Sequence, residues 1–291
     1  MKKYMVGIRT NKWDFQNFFI ASYYMSHGIH VALVVDEVSG GKLDTSFIPK
    51  VALTEAWMQQ HKLLVQVPKI GWRCGDYCFY AMMQQYPDFD GYWLVEDDAL
   101  MLHQNLKEIL QKCFDQDFDF LAAHLGKRRD NWIWFPTVAD KKDHKNEVKG
   151  CSFGVSFMSK RLCQFLFAER QRIYDQLTEQ KRTHVWPADE AFVMNYTTDD
   201  YLVVGLEKVI GAELFENYLF TGFKKYFEFN ESRVRYYPQG FYHPVVINNG
   251  ETGFFMRKLT ILKRQHSPEF DGEKDSILAK VMSTFNRINL T

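Results

Sequence analysis

The chain predicts an α/β fold with a mostly parallel sheet flanked by helices, on three observations. Short, continuous apolar runs alternate with segments of helical period through the first half of the chain. Two of those runs, Val31-Ala32-Leu33-Val34-Val35 and Tyr92-Trp93-Leu94-Val95, stop directly at acidic residues. The length, 291 residues with 46% hydrophobic content, is enough for the core of one large domain.

The elements follow in order. Residues 4–8 read as a strand ending at the polar turn Arg9-Thr10-Asn11-Lys12. Phe15, Phe18, Phe19, Ser22, Tyr23 and Met25 share one side of a helix that Gly28 stops. Residues 31–35 have the profile of a parallel strand covered on both faces. A helix over 52–61, a strand over 63–67 and a helix over 76–86 come next, the last with Cys78, Phe79, Met82, Met83 and Tyr86 on its apolar side. The strand 92–95 runs into Glu96-Asp97-Asp98, and a helix at 105–114 and a strand at 118–123 complete the alternation that implies βαβ units. The second half is less regular: a charged loop over 140–149, a strand over 153–158, a helix over 160–180 and a helix start at Pro187. Residues 1–250 are expected to form the main domain and 251–291 a C-terminal extension. Within the extension, residues 254–264 combine apolar side chains with four basic ones and are expected to pack on the core; an anionic membrane surface is the alternative.

Composition narrows the function. Lysine plus arginine equals aspartate plus glutamate at 36 each, which argues against a nucleic-acid partner. No apolar run approaches the roughly 18 residues of a membrane span, and the N-terminus meets charge too soon for a signal peptide. Five cysteines without framework spacing fit a reducing compartment, so a cytoplasmic protein is expected, with Cys74 and Cys78 as buried thiols. No G-x-G-x-x-G or phosphate-loop pattern occurs.

The sharpest chemical feature is Glu96-Asp97-Asp98. Three consecutive carboxylates at the end of an apolar strand repel one another unless a cation neutralises them, and ligands bind at that end of open α/β sheets. Alternation along an extended segment sends Glu96 and Asp98 one way and Asp97 the other. Two hard oxygen donors on one side suit Mg²⁺ or Mn²⁺. The bland alternative is a solvated turn with Asp98 capping the next helix. Trp186-Pro187-Ala188-Asp189-Glu190 is a second acidic site, at a helix N-terminus where a carboxylate is favoured by the dipole. Gly150-Cys151-Ser152-Phe153-Gly154 matches G-x-S-x-G, with Asp189 and His243 in triad order, but the strand-turn-helix context of a nucleophile elbow is missing. Residues 131–136, with Trp132 and Trp134, offer either an aromatic platform for a sugar or ordinary loop packing.

The order of these features resembles the GT-A glycosyltransferases over roughly residues 4–245: an early strand and polar turn, a strand ending in acid, then a strand ending in Glu-Asp-Asp in place of Asp-x-Asp. The resemblance implies a GT-A-like fold and transfer of a sugar from a nucleoside-diphosphate sugar, UDP-sugars favoured, to a glycan or lipid-linked glycan. Polysaccharide biosynthesis, such as lipopolysaccharide or capsule, is the setting it implies, in the cytoplasm or on the inner face of the membrane. By position it assigns Glu96, Asp98 and the late His243 to Mn²⁺ or Mg²⁺. Thr10, Asp36, Arg73, Asp76 and Asp97 fall to the nucleotide sugar, and Asp189, with Glu190 second, to deprotonation of the acceptor hydroxyl. The small residues 150–154 become a turn that lets backbone approach the donor. Rival readings are a sugar-nucleotide hydrolase or nucleotidyltransferase using the same metal site, or a non-catalytic carbohydrate-binding protein.

Overall fold

A computed structural model describes residues 2–38, 41–45, 48–65, 70–139, 147–219, 227–230 and 236–248. The extension 251–291, including 254–264, and residues 140–146 of the charged loop lie outside the described residues. Twelve strands and eight α-helices are described. In chain order they are β1 (Tyr4–Thr10), α1 (Phe15–Ser26), β2 (Val31–Asp36), β3 (Lys50–Leu53), α2 (Glu55–Gln60), α3 (Ile70–Arg73), α4 (Asp76–Gln85), β4 (Gly91–Glu96), β5 (Leu100–Leu102) and α5 (Leu106–Asp115). There follow β6 (Phe120–Lys127), β7 (Lys149–Ser159), α6 (Lys160–Glu179), α7 (Asp189–Tyr196), β8 (Val203–Gly205), α8 (Leu206–Ile210), β9 (Asn217–Tyr218), β10 (Phe227–Asn230), β11 (Gly240–His243) and β12 (Val245–Asn248).

The central sheet has seven strands in the order β3-β2-β1-β4-β7-β6-β8. All neighbours are parallel except β7, which runs against both β4 and β6. Both faces are covered, so the strands alternate between two apolar cores. Val6, Ile8, Leu33, Val35, Trp93 and Val95 meet the side that carries α1 and α5. Met5, Ala32, Val34, Tyr92 and Leu94 meet the side that carries α4 and α6. Burial on both faces is why these strands read as unbroken apolar runs.

Local chemistry starts the helices where the sequence does. Asp14 caps α1 by accepting from Asn17 N at 3.0 Å, and Gly28 follows α1 with φ +68°. Thr54 caps α2 and Ser159 caps α6 in the same way. Several expectations need correction. The helix expected over 52–61 is β3 followed by the shorter α2, because Thr54 prefers a cap to a helix interior. The expected strand over 63–67 is irregular at 63–65, and 66–69 lie outside the described residues. Residues 150–154 form no turn: they belong to β7, where Gly150 leaves room for Trp132 and Arg128 and Gly154 for Tyr218 and His243. That also removes the nucleophile elbow.

A second, three-stranded sheet, β5-β11-β9, sets up the site. β11 pairs antiparallel with β5, just after the acidic segment, with Tyr242 opposite Leu100, and Val245 N donates to Asp98 O at 2.7 Å. This pairing returns position 243 to the end of β4.

Candidate active site

The site is built at the carboxyl ends of β1 and β4. Arg9 and Glu96 are partners in the parallel register of these strands, so their side chains leave the sheet together. Arg9 Nη1 donates to Glu96 Oε1 at 3.0 Å and lies 3.6 Å from Asp189 Oδ2. Glu96, Asp98 and His243 each turn a ligand atom to a common point, all within 4.8 Å of one another. His243 Nε2 is 3.7 Å from Glu96 Oε2 and 3.7 Å from Asp98 Oδ1. The other ring nitrogen, Nδ1, is 2.6 Å from Leu219 O. A carbonyl only accepts, so Nδ1 carries the proton and Nε2 faces the acids. Asp97, in the turn that follows β4, takes other partners: Thr10 Oγ1 donates to it at 3.1 Å and Lys12 Nζ stands 3.9 Å away.

Burial and mutual repulsion show in the titration of these groups. Burial opposes ionisation of Glu96, yet His243 and Arg9 hold its carboxyl below the ordinary value. Asp98 is pushed up to about 6 by burial and by Glu96. Burial also raises Asp97, against Lys12 and Thr10. Burial works against the His243 imidazolium, but Glu96, Asp98 and the Leu219 carbonyl raise it to about 9. Glu190 is raised to about 8 by burial, Asp189 and Glu96. The donor set fits a divalent cation: two carboxylates converge with an imidazole whose Nδ1 proton is held by Leu219 O, and like charges are held together there. A bound cation would take the place of the Nε2 proton.

The second acidic site reaches the same region from α7, with a change of emphasis. Asp189 is only 2% exposed. Its Oδ2 accepts from Gly75 N at 2.7 Å, and its Oδ1 accepts from Glu190 N at 2.7 Å. A carboxylate so enclosed joins α7 to the start of α4 and has no open side for an acceptor hydroxyl. Glu190, partly exposed, has one. Gly75 is required where these groups meet: a Cβ there would stand 2.3 Å from Arg9 Nη1 and 2.7 Å from Asp189 Oδ2.

Asp76 is not on the cleft. It is fully buried, its two oxygens accept from Arg170 Nε at 2.7 Å and Nη2 at 2.9 Å, and Tyr80 Oη donates to it as well. Sequence reasoning missed Arg170, 94 positions away, because an arginine in mid-helix normally reads as exposed. Its guanidinium lies over the Phe192 ring at 3.7 Å and donates to Pro187 O at 2.8 Å. Arg73 donates to Trp186 O at 2.8 Å and covers Trp134. Segment 73–76 therefore braces the approach to α7. Trp132 lies beneath Arg128, and both tryptophans pack against Val138, Val148 and Ala191, so they act as loop packing more than as a platform. Asp36 is 4% exposed at the end of β2, where its Oδ1 accepts from Val38 N. The hydrolase triad does not form: Asp189 and His243 bond elsewhere, and Ser152 is buried 3.3 Å from Tyr218 Oη. All five cysteines are free and buried.

No protein-family model matches the chain, and no curated protein matches it in sequence. Among solved structures it is similar to the galactosyltransferase LgtC in complex with donor and acceptor sugar analogues: TM-score 0.41, 10% identity, 89% of this chain and 94% of that one. It is also similar to mouse xyloside xylosyltransferase 1, with TM-score 0.40, 13% identity, 70% of this chain and 85% of that one. A third is the inositol-1-phosphate CTP transferase of T. maritima, with TM-score 0.35, 13% identity, 70% of this chain and 86% of that one. At such identities and scores the likeness assigns no function. Among the described residues no helix is long and apolar enough to cross a membrane.

Proposed function

We propose that this chain is a GT-A-type glycosyltransferase that moves a sugar from a nucleoside-diphosphate sugar to a glycan or lipid-linked glycan, with residues 1–250 as the catalytic unit. The observation that carries this reading is the meeting of Glu96, Asp98 and His243 at the carboxyl end of β4, from positions 147 residues apart at the extremes. These three would hold Mn²⁺ or Mg²⁺, which when bound supplies a Lewis acid for the departing diphosphate.

The chain's own groups do the rest. Arg9 orients Glu96 and ties it to Asp189, so the two acidic sites keep a constant separation. Thr10 and Lys12 hold Asp97 away from the ligand cluster, at the edge where a nucleotide sugar would lie with Asp36. Glu190, raised to about 8 by burial, Asp189 and Glu96, is a strong base once ionised, and in that form takes the acceptor proton if configuration inverts. UDP is the favoured nucleotide, and a surface polysaccharide made in the cytoplasm is the favoured product.

A thermal-shift panel of nucleoside diphosphates tests the reading. UDP with Mn²⁺ is expected to raise the melting temperature and UDP alone to leave it unchanged; ligand at 100 times its dissociation constant stabilises by about 2.7 kcal/mol. No Mn²⁺-dependent shift with any nucleoside diphosphate would refute the proposal. Product analysis separates the nucleotidyltransferase rival, which makes pyrophosphate, from a transferase that releases nucleoside diphosphate when acceptor is present.

A further inference from the structure

The motif Gly150-Cys151-Ser152-Phe153-Gly154 has no part in the proposed reaction, yet its last residue lies against the histidine of the cation site. Between them stands Tyr218 of β9. Its ring stacks on the His243 imidazole, with centroids 5.1 Å apart and planes 29° from parallel. Its hydroxyl is anchored in β7, accepting from Val155 N at 2.8 Å and lying 3.3 Å from Ser152 Oγ. The next residue grips the same histidine twice: Leu219 O accepts from Nδ1 at 2.6 Å, and Leu219 N donates to His243 O at 2.9 Å. Gly154 leaves the space for this stack. A Cβ there would stand 2.4 Å from Tyr218 Oη and 3.3 Å from His243 Cδ2.

An imidazole has two side-chain torsions to fix before its second nitrogen can serve as a ligand. A hydrogen bond at Nδ1 sets one direction but leaves the ring free to swing about it. A flat neighbour on one face removes that freedom. Both constraints are present, and with both in place Nε2 stands 3.7 Å from each of the two carboxylates.

We propose that Tyr218, seated in the gap left by Gly154, is a positioning residue that sets the plane of His243 for binding of a divalent cation. The inference rests on the reading of Glu96, Asp98 and His243 as ligands. Its test is the dissociation constant of Mn²⁺ for the full chain without nucleotide, from the electron paramagnetic resonance signal of free Mn²⁺, alongside thermal melting. Tyr218→Phe keeps the flat ring and loses the anchor, so Mn²⁺ affinity stays within about twofold while the melting temperature falls. Tyr218→Leu removes the flat face, and Gly154→Ala drives a methyl group into the stack. Each is expected to weaken Mn²⁺ binding about tenfold or more, the loss usual for groups that orient a ligand. A purely structural role would not separate affinity from melting in this way. The inference fails if folded Tyr218→Leu and Gly154→Ala bind Mn²⁺ like the wild type, or if Tyr218→Phe weakens binding as much as Tyr218→Leu. Should Tyr218→Leu not fold, Gly154→Ala and Tyr218→Phe decide alone. A wild-type chain that binds no Mn²⁺ overturns the proposed function as well; a binding wild type with indifferent variants overturns only this inference.

Discussion

Asp76 and Glu96 are both carboxylates drawn inside the protein beside an arginine, and the fold treats them in opposite ways. Asp76 has Arg170 to itself, with two hydrogen bonds from the guanidinium and a third from Tyr80, and neither ionic partner is exposed. Glu96 shares Arg9 with Asp189 and shares His243 with Asp98. The first charge is balanced entirely within the chain. The second belongs to a group in which burial, and after it repulsion from neighbouring acids, pushes Asp98 up to about 6 and Glu190 up to about 8, with too little positive charge nearby to offset either. A carboxylate closed by its own arginine is a structural part; carboxylates left in competition for cations are a place for a ligand.

The largest effect should come from breaking the closed pair. Asp76→Asn leaves the Arg170 charge buried without its counter-ion and is expected to cost about 3–5 kcal/mol in urea unfolding. Asp76→Leu with Arg170→Met should cost less than either single change, since no charge then remains buried. A small loss for Asp76→Asn would erase the contrast with Glu96.

Next comes the open cluster. Glu96→Gln with Asp98→Asn should weaken Mn²⁺-dependent binding of a nucleoside diphosphate at least about 100-fold, roughly 2.7 kcal/mol, by calorimetry. Its urea midpoint should not show the fall seen for Asp76→Asn. Unchanged binding would mean that the cluster is only a solvated acidic turn.

Gly75→Ala sharpens the comparison where the two regions meet. The added methyl group collides with Arg9 and Asp189, and overpacking of this kind costs about 1–3 kcal/mol. Arg9 is the link between Glu96 and α7, so cation binding should weaken as well. A variant as stable and as tight-binding as the wild type would show that Arg9 moves freely.

The smallest effect is a slope. Glu190 is raised in the fold from an ordinary 4.5 to about 8, so the native state holds its proton longer than the unfolded chain does. Stability from this group is full below about pH 4.5 and is lost as pH climbs toward 8. Urea midpoints measured from pH 5 to 8 should fall less steeply in Glu190→Gln than in the wild type. Parallel slopes would place Glu190 in water and remove it as the candidate base.

Much of this was legible in the chain because periodicity reports burial. The runs 31–35 and 92–95 announce strands covered on both sides, and β2 and β4 follow them closely. Glu96 and Asp97 do take different partners, as alternation predicts. Asp97 and Asp98 lie in the turn after β4, however, so it is that turn and not the pleat that brings Asp98 back beside Glu96. What misled was segment 71–76: beside a polar turn, Arg73 and Asp76 look like nucleotide contacts, and nothing local reveals that Arg170 waits 94 residues on. Residues 150–154 misled for a related reason. Small residues announce a turn and a tightly packed strand equally well, and only the neighbour that fills the space, here Tyr218, tells them apart.

By itself, the amino-acid order determined the strand–helix alternation, the acidic end of β4 and the acidic start of α7, since each depends on residues within one or two turns of chain. Tertiary structure alone decided which acids would be neutralised and which left to compete. That choice depends on Arg170, Arg9 and His243 arriving from distant positions, and the pairing of β11 with β5 and the parallel register of β1 with β4 are what bring the last two to Glu96.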